Sequence, residues 1–403
     1  MLVQKAFKFR LYPNQSQQAA LAVQFGHARF VYNHYRAVRE GYYLDTGTGL
    51  SYRDCADDLS DILKVDYPWL KEADSQTLQQ VLKDLERAYK NFFEGRAAYP
   101  NFKSKHDKQT IRYPQRFKLN GKKVYLPKVG WVKGVFHRNV EGALKNCTVS
   151  KTKSGRYFVS IQCELEVEQP EPKAASVGID LGLKTFVTLS NGEKFDKPKH
   201  LHKAAPSGHP RLKLRQRRVS RKGKGSNSRN KARLPLVKLH ERVANQRKDY
   251  QHKLSRQLVD RFGSIAFESL NVSGMVQNHK LAKAISDAAW GQFVGFCEYK
   301  AKWANAQVLR VDRFFASSQI CAACGTKHKK LTLNIRQWAC LHCGSIHDRD
   351  ENAAKNILNN ASREATATVG ATESHAGGEM SELLMSSAPE AQAALALGSS
   401  PYG

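Results

Sequence analysis

The chain has 403 residues, 41% of them hydrophobic, which is enough for two or three domains around substantial cores. Its 65 Lys and Arg against 36 Asp and Glu give a formal net charge of +29, so its natural partners are polyanions, nucleic acid first and a membrane surface second. No apolar run reaches the roughly 18 residues of a spanning helix, and the opening MLVQKAFKFRLYPN lacks the apolar core of a signal peptide, so a cytoplasmic protein is expected.

Residues 2–12 alternate as a strand does, until Pro13 and Asn14 break the pattern. Asn14 or Ser16 then caps a helix running to about Tyr43, and a second helical stretch covers about 52–64. SQTLQQVLKDLERAYKNFF (75–93) places Leu78, Val81 or Leu82, Leu85, Tyr89 and Phe92 at helical spacing. From about 98 to 168, short alternating runs such as KKVYLP, WVKGVFH and RYFVSIQCELEV are separated by Gly, Pro and Asn turns. They predict a small β-barrel or sandwich, with the helices of 14–95 inserted after its first strand. EQPEPKAA (168–175) reads as a linker.

SVGIDLGLKTFVTLSNGEKF (176–195) predicts a buried hairpin, and Asp180 is the one charged residue in its first apolar run. Residues 197–256 hold twenty Lys or Arg and two acids, Glu241 and Asp249. Their second half carries Leu236, Leu239, Val243, Tyr250, Leu254 and Leu258 on one stripe, an amphipathic helix with a basic outer face after the loop SRKGKGSNS. SIAFESLNV follows as another apolar strand with a single acid, Glu268. A helix is predicted over about 286–305, VLRVDRFF leads into a cysteine cluster, and ENAAKNILNN is a last short helix. The tail, 362–403, has one Arg, five Glu and no sustained periodicity, and is expected to be disordered.

Of eight cysteines, Cys55, Cys147, Cys163 and Cys297 are scattered and read as buried thiols. The others form Cys321-x-x-Cys324, fifteen residues, then Cys340-x-x-Cys343, with Gly325 and Gly344 freeing each knuckle. Four thiolates at this spacing suit tetrahedral Zn²⁺ and leave no open position, so this zinc is structural. His328, His342 and His347 are spare ligands with no vacancy to fill.

Asp180 and Glu268 are each a lone acid in an apolar strand, which is costly unless the charge has a purpose. A third acid, Asp350 or Asp348, opens the last helix. Three clustered carboxylates repel, and two Mg²⁺ ions would neutralise them while handling a phosphodiester. For nucleic-acid contacts, Arg215, Arg217, Arg218, Arg221 and Lys222 are candidate phosphate ligands. Tyr99, Phe102 and Tyr113 are either core or stacking platforms. Gln76, Gln79 and Gln80, with Tyr52, are candidates for reading bases.

GIDLGLKTFVTLSNG, AFESLNV, the double Cys-x-x-Cys and HDRDENAAKNIL together resemble the RuvC-like nuclease half of TnpB proteins from insertion sequences, which are similar to type V CRISPR effector nucleases. FRLYPNQSQQ, RFVYNHYR, LERAYKNFF, YPNFKSK and LPKVGWVK extend the resemblance upstream, so that it covers about residues 1–361. It implies a multidomain chain of α/β and α+β type. A wedge-like β-barrel (1–13 and 96–170) carries a helical recognition insertion (14–95). An RNase H-like (RuvC) α/β nuclease domain (171–320 and 344–361) carries an inserted zinc ribbon (321–343). The resemblance assigns Asp180, Glu268 and Asp350 as the acids of a split active site. It also implies an RNA-guided DNA endonuclease, monomeric with its RNA in the prokaryotic cytosol. The guide RNA comes from the element's own end, and the partners are target double-stranded DNA beside a short motif and the displaced strand. A guided DNA-binding regulator that does not cut, and a transposase that joins DNA ends, are the alternatives. Cys343 lies just before Asp350, so the zinc knuckle is expected to fix where that acid enters the site.

Overall fold

A computed structural model describes residues 1–196, 211–328, 331 and 335–373. It opens with strand β1 (Leu2–Leu11). Asn14 caps α1 (Gln15–Thr46): its Oδ1 accepts from Gln17 N–H at 2.9 Å, and the Gln17 side chain accepts from Asn14 N–H at 3.1 Å. Ser16, the other candidate cap, donates to the same Asn14 oxygen. Ser51 caps α2 (Tyr52–Asp58), which continues through a π turn (Leu59–Leu63) into Lys64–Asp66. Asp74 caps α3 (Ser75–Phe93) and is held by Arg116 at 2.6 Å.

Six strands follow: β2 (Gln109–Tyr113), β3 (Lys118–Asn120), β4 (Lys123–Leu126), β5 (Gly130–Val135), β6 (Ala143–Lys151) and β7 (Tyr157–Glu166). With β1 they form one antiparallel sheet in the order β2-β6-β7-β1-β5-β4-β3. That order is linear, with β2 and β3 at the edges, so its hydrogen bonding does not close the ring of a barrel. Within it, β1 pairs with β7 over its whole length and with β5 only at Arg10 and Leu11. The helices of 14–95 do not have a core of their own either. One continuous apolar cluster runs from Phe9 and Leu11 on the sheet through Val31, Leu78 and Leu85 on the helices to Tyr113 and Val159.

The second half contains β8 (Ser176–Leu181), β9 (Thr185–Leu189), β10 (Lys194–Asp196), α4 (Arg211–Ser220) and α5 (Asn227–Arg261). Then come β11 (Ser264–Glu268), α6 (Val272–Val276), α7 (Ala282–Ala288), α8 (Trp290–Trp303) and β12 (Gln307–Val311). The sheet order is β10-β9-β8-β11-β12, with β8, β11 and β12 parallel. On α5 the expected stripe is inside: Leu239, Val243, Leu254 and Leu258 are buried. The single helix expected over 286–305 is broken at Ala289, which adopts φ 52°. Gln251 supports the break by donating to the carbonyls of Ala288 (2.9 Å) and Ala289 (3.3 Å). The four scattered cysteines are buried and unpaired.

A small hairpin of β13 (Gln337–Ala339) and β14 (Ile346–Asp348) leads into the last helix, α9 (Arg349–Glu373). That helix passes the expected boundary at 361, so the first part of the tail is helical, as a continuation of α9. Residues 374–403, and 197–210 of the basic stretch, lie outside the described residues.

Gly178 brings α9 against the sheet. A Cβ at 178 would collide with the Ala354 carbonyl oxygen and lie 2.8 Å from the Leu358 backbone nitrogen. Gly178 and Asp180 share one face of β8, about 6.6 Å apart along the strand. Ala354 and Asp350 are one helical turn apart, about 6 Å. Docking Ala354 on Gly178 therefore carries Asp350 to the level of Asp180. Gly178→Ala is expected to cost about 1–3 kcal/mol by overpacking. In Gly26→Ala, by contrast, the new Cβ would meet nothing within 4 Å inside α1, and the change should stabilise by about 0.5–1 kcal/mol. Denaturant unfolding of the two variants checks the contrast, and similar effects at both sites would contradict the close approach.

Candidate active site and cysteine centre

Asp180 and Glu268 meet through strand register. In the parallel pair β8–β11, Ile179 is opposite Phe267, so the next residues, Asp180 and Glu268, share one face at the carboxyl ends of neighbouring strands. Ligand sites in open α/β sheets form at such strand ends. Asp350 arrives from above on the first turn of α9.

Asp180 senses the other two carboxyls. Burial, then Asp350, then Glu268 push Asp180 up to about 7, against the opposing pull of Arg349 and Arg336. Asp180 keeps some surface open but is densely surrounded by protein atoms. Burial also raises Glu268. A hard, oxygen-only donor set fits a divalent cation of the Mg²⁺ type, whose charge would favour the ionised form of Asp180.

Asp348 has a different job. Its Oδ1 accepts from the N–H groups of Asp350 and Glu351, each at 3.1 Å, so it caps α9. Its Oδ2 accepts from Lys194 Nζ at 2.8 Å. Burial works to raise Asp348, but Lys194 and the two backbone donors outweigh it and hold the carboxyl below the usual range. Asp350 in turn accepts from Arg336 Nη1, at 2.9 and 3.3 Å to its two oxygens. Lys194 and Arg336 went unnoticed in the sequence because they are 154 and 14 residues from their partners and no motif marks them.

The four cysteine sulfurs converge, all within 4.8 Å of one another, and they are the one such group of potential ligands among the described residues. Cys321 and Cys343 are 3.7 Å apart, and Cys324 and Cys340 3.6 Å. Sulfurs about 2.3 Å from a shared tetrahedral zinc would be separated by about 3.8 Å, so the residues fit the ion. Thr326 pulls Cys324 down to about 5, Ser345 lowers Cys343, and burial raises Cys321 to about 12. His347 Nε2 lies 3.0 Å from Cys321 Sγ, and His328 Nε2 3.2 Å from Cys340 Sγ. Both histidines are thus outer partners of ligands, while His342 is exposed.

With this geometry in hand, three family patterns match the chain. OrfB_IS605, described as “Probable transposase”, matches residues 160–279, “Cas12f1-like, TNB domain” matches 290–357, and “Helix-turn-helix domain” matches 1–47. A protein of Streptomyces pristinaespiralis provisionally named an RNA-guided DNA endonuclease is 39% identical over 366 residues, covering 88% of this chain and 89% of the relative. The chain belongs to the TnpB family. A second relative, InsQ of Escherichia coli strain K12, provisionally named in the same way, is 36% identical over 373 residues, 88% of this chain and 91% of the relative. The protein of a Cas12f1–sgRNA–target DNA complex solved by cryo-EM shares the fold: TM-score 0.56 at 13% identity, covering 89% of this chain and 99% of that one. Within 1–47 this TnpB-family chain forms a strand and one long helix, not two helices joined by a turn.

The candidate nucleic-acid contacts divide. Tyr113 is fully buried and belongs to the core, as does most of Tyr99. Phe102 is 54% exposed and lies beneath the Arg36 guanidinium. Gln79 is exposed, Gln80 half-buried, and Gln76 donates to the Gln115 side chain. Tyr52 packs on the N-terminal core below Lys83. Arg217, Arg218 and Arg221 are exposed on and just after α4; Arg215 is tied to the Pro235 carbonyl, and Lys222 is half-buried. No helix among the described residues is long and apolar enough to cross a membrane.

Folding raises the Asp180 carboxyl from 3.8 to about 7, so the native state keeps a proton that the unfolded chain releases. The stability that this proton confers is complete below pH 3.8 and is lost as pH rises through about 7. Metal-free protein should therefore lose thermal stability between about pH 4 and 7 relative to Asp180→Asn, and added Mg²⁺ should close the gap at the upper end. Parallel melting curves for the two proteins would contradict the raised carboxyl.

Proposed function

We propose that this chain is an RNA-guided DNA endonuclease of an insertion sequence. The observation that carries the proposal is the convergence of Asp180, Glu268 and Asp350, from two parallel strands and a helix start, in a chain of net charge +29. The naming of the relatives as RNA-guided DNA endonucleases supports the same reading.

In this reading Asp180, Glu268 and Asp350 hold one or two Mg²⁺ ions. Bound there, divalent ions would make a water more acidic and screen the charge of a phosphodiester. The protein's own part is to bring three acids to one end of the sheet and to surround Asp180 with protein atoms. Asp348, fixed by Lys194, orients the α9 amides and so the first turn that presents Asp350. Arg336 supplies a cation beside Asp350, where the charge of a phosphate would arrive. The five-stranded sheet with α9 is the RNase H-like (RuvC) domain, and the β13–β14 region is its zinc ribbon. The N-terminal sheet and helices form the wedge and recognition unit that reads a short motif beside the target, with Gln79, Gln80 and Tyr52 as candidate contacts. Arg217, Arg218 and Arg221 grip backbone phosphates of guide and target. The chain works in the cytosol as one copy on its guide RNA, which comes from the element's own end.

Co-expression with the native flanking DNA should yield a defined RNA that copurifies with the protein. Asp180→Ala should then abolish cleavage of a matching plasmid while leaving RNA and target binding intact. A variant that cuts as well as wild type would overturn the assignment of the site. Joined rather than cut products from purified protein would favour the transposase reading instead.

A further inference from the structure

α9 has to present Asp350 to two other carboxyls that repel it, and a helix start free to move would relax away from them. Two tethers oppose that motion. The first is covalent: Cys343 is followed by β14, Asp348 and then Asp350, and Arg349 N–H donates to the Arg336 carbonyl at 2.8 Å across the hairpin. The second comes from the opposite knuckle. Asn352, 1% exposed, accepts at Oδ1 from Ala322 N–H (2.9 Å) and donates from Nδ2 to the Ile320 carbonyl (2.7 Å). These two peptide groups flank Cys321. One side chain thus grips the backbone on both sides of a zinc ligand, two residues from Asp350 in the chain.

The requirement is chemically narrow. Ala322 N–H can only donate and Ile320 C=O can only accept, so the side chain must offer one acceptor and one donor on a short arm, which is the asparagine amide. Asp lacks the donor, Leu lacks both, and Gln is one methylene too long. Asn356, one turn on and 4% exposed, donates to the carbonyls of Ser317 (2.8 Å) and Ile320 (2.6 Å) but does not hold Ala322. Asn356 thus braces the approach to the knuckle, and Asn352 clasps the knuckle itself.

We propose that Asn352 is a positioning residue that couples the cysteine centre to the carboxylate site, so that metal loading at Cys321 holds Asp350 in place against Asp180 and Glu268. This inference rests on the reading of those three acids as the divalent-cation site. The coupling is a binding free energy between two sites and can be read without any cleavage step.

The test uses the full-length protein with its copurified RNA and Mn²⁺ as the probe, followed by electron paramagnetic resonance. Site binding is defined as the component that Asp180→Ala removes. Asn352→Ser should weaken that component about tenfold, the size of effect usual for residues that orient metal ligands, with zinc still bound to the variant. Chelating zinc from wild type should weaken it by a similar factor, and chelating zinc from Asn352→Ser should add little. Asn356→Ser should lower the melting temperature yet leave Mn²⁺ affinity within about twofold, since it spares the Ala322 contact. Should Asn352→Ser not fold, Asn352→Gln keeps the amide and should shift affinity in the same direction. Wild-type Mn²⁺ affinity in the Asn352 variants, with Asp180→Ala still removing the component, would overturn the coupling alone. Equal losses in the Asn352 and Asn356 variants would overturn it in favour of a merely structural role. Full Mn²⁺ binding by Asp180→Ala would overturn the site reading and the coupling with it.

Discussion

Three acids brought to one end of the five-stranded sheet, Asp180 and Glu268 by strand register and Asp350 by the start of α9, are the constraint on which the proposed site depends. Register alone brings Asp180 and Glu268 side by side, and it does so at the ends of parallel strands where backbone pairing stops. Adding Asp350 needs force from elsewhere. Gly178 supplies it from below by removing the side chain that would hold α9 off the sheet. Asn352 supplies it laterally, and the Asp348 cap with Lys194 supplies it at the helix start. The cost is visible in Asp180, whose carboxyl is pushed up to about 7. A divalent cation turns that cost into affinity, because each carboxyl that resists ionising alone is stabilised once the ion arrives.

The cysteine centre belongs to the same problem. Its four sulfurs close on one another with no position left for substrate, so its chemistry is mechanical. It stands between the sheet and α9 in sequence and touches α9 through backbone groups. The N-terminal half has a separate logic. Its sheet and helices share one apolar core, so the helices pack directly on the strands. Arg217 and Arg218 on α4 are exposed, outside both cores.

Much of the site was legible in the sequence because burial makes charge conspicuous. Asp180 and Glu268 stood out as single acids in apolar strands, and the cysteines as two knuckles at metal spacing. Between Asp348 and Asp350 the resemblance favoured Asp350, and what the sequence did not reveal is that Asp348 caps α9 by accepting from its amides. Lys194 and Arg336 were invisible because their partners are set by tertiary packing. The break at Ala289 was missed because an alanine in the left-handed region has no sequence signal, and its support comes from Gln251 on another helix. Whether the N-terminal strands make a barrel or a sandwich was not legible: alternation identifies strands, and the pairing of the edge strands β2 and β3 is set by tertiary packing. The helical start of the tail was underread because its composition was weighed over forty residues, most of them beyond the helix.

The most direct test is a cleavage assay on two plasmids with the copurified protein–RNA complex. One plasmid carries a sequence complementary to that RNA beside a randomised flank, and the other carries none. The account predicts cutting of the matched plasmid alone, enriched for one short flank, dependent on Mg²⁺ and stopped by EDTA. Cutting that ignores the RNA sequence, or that persists with EDTA, would contradict it.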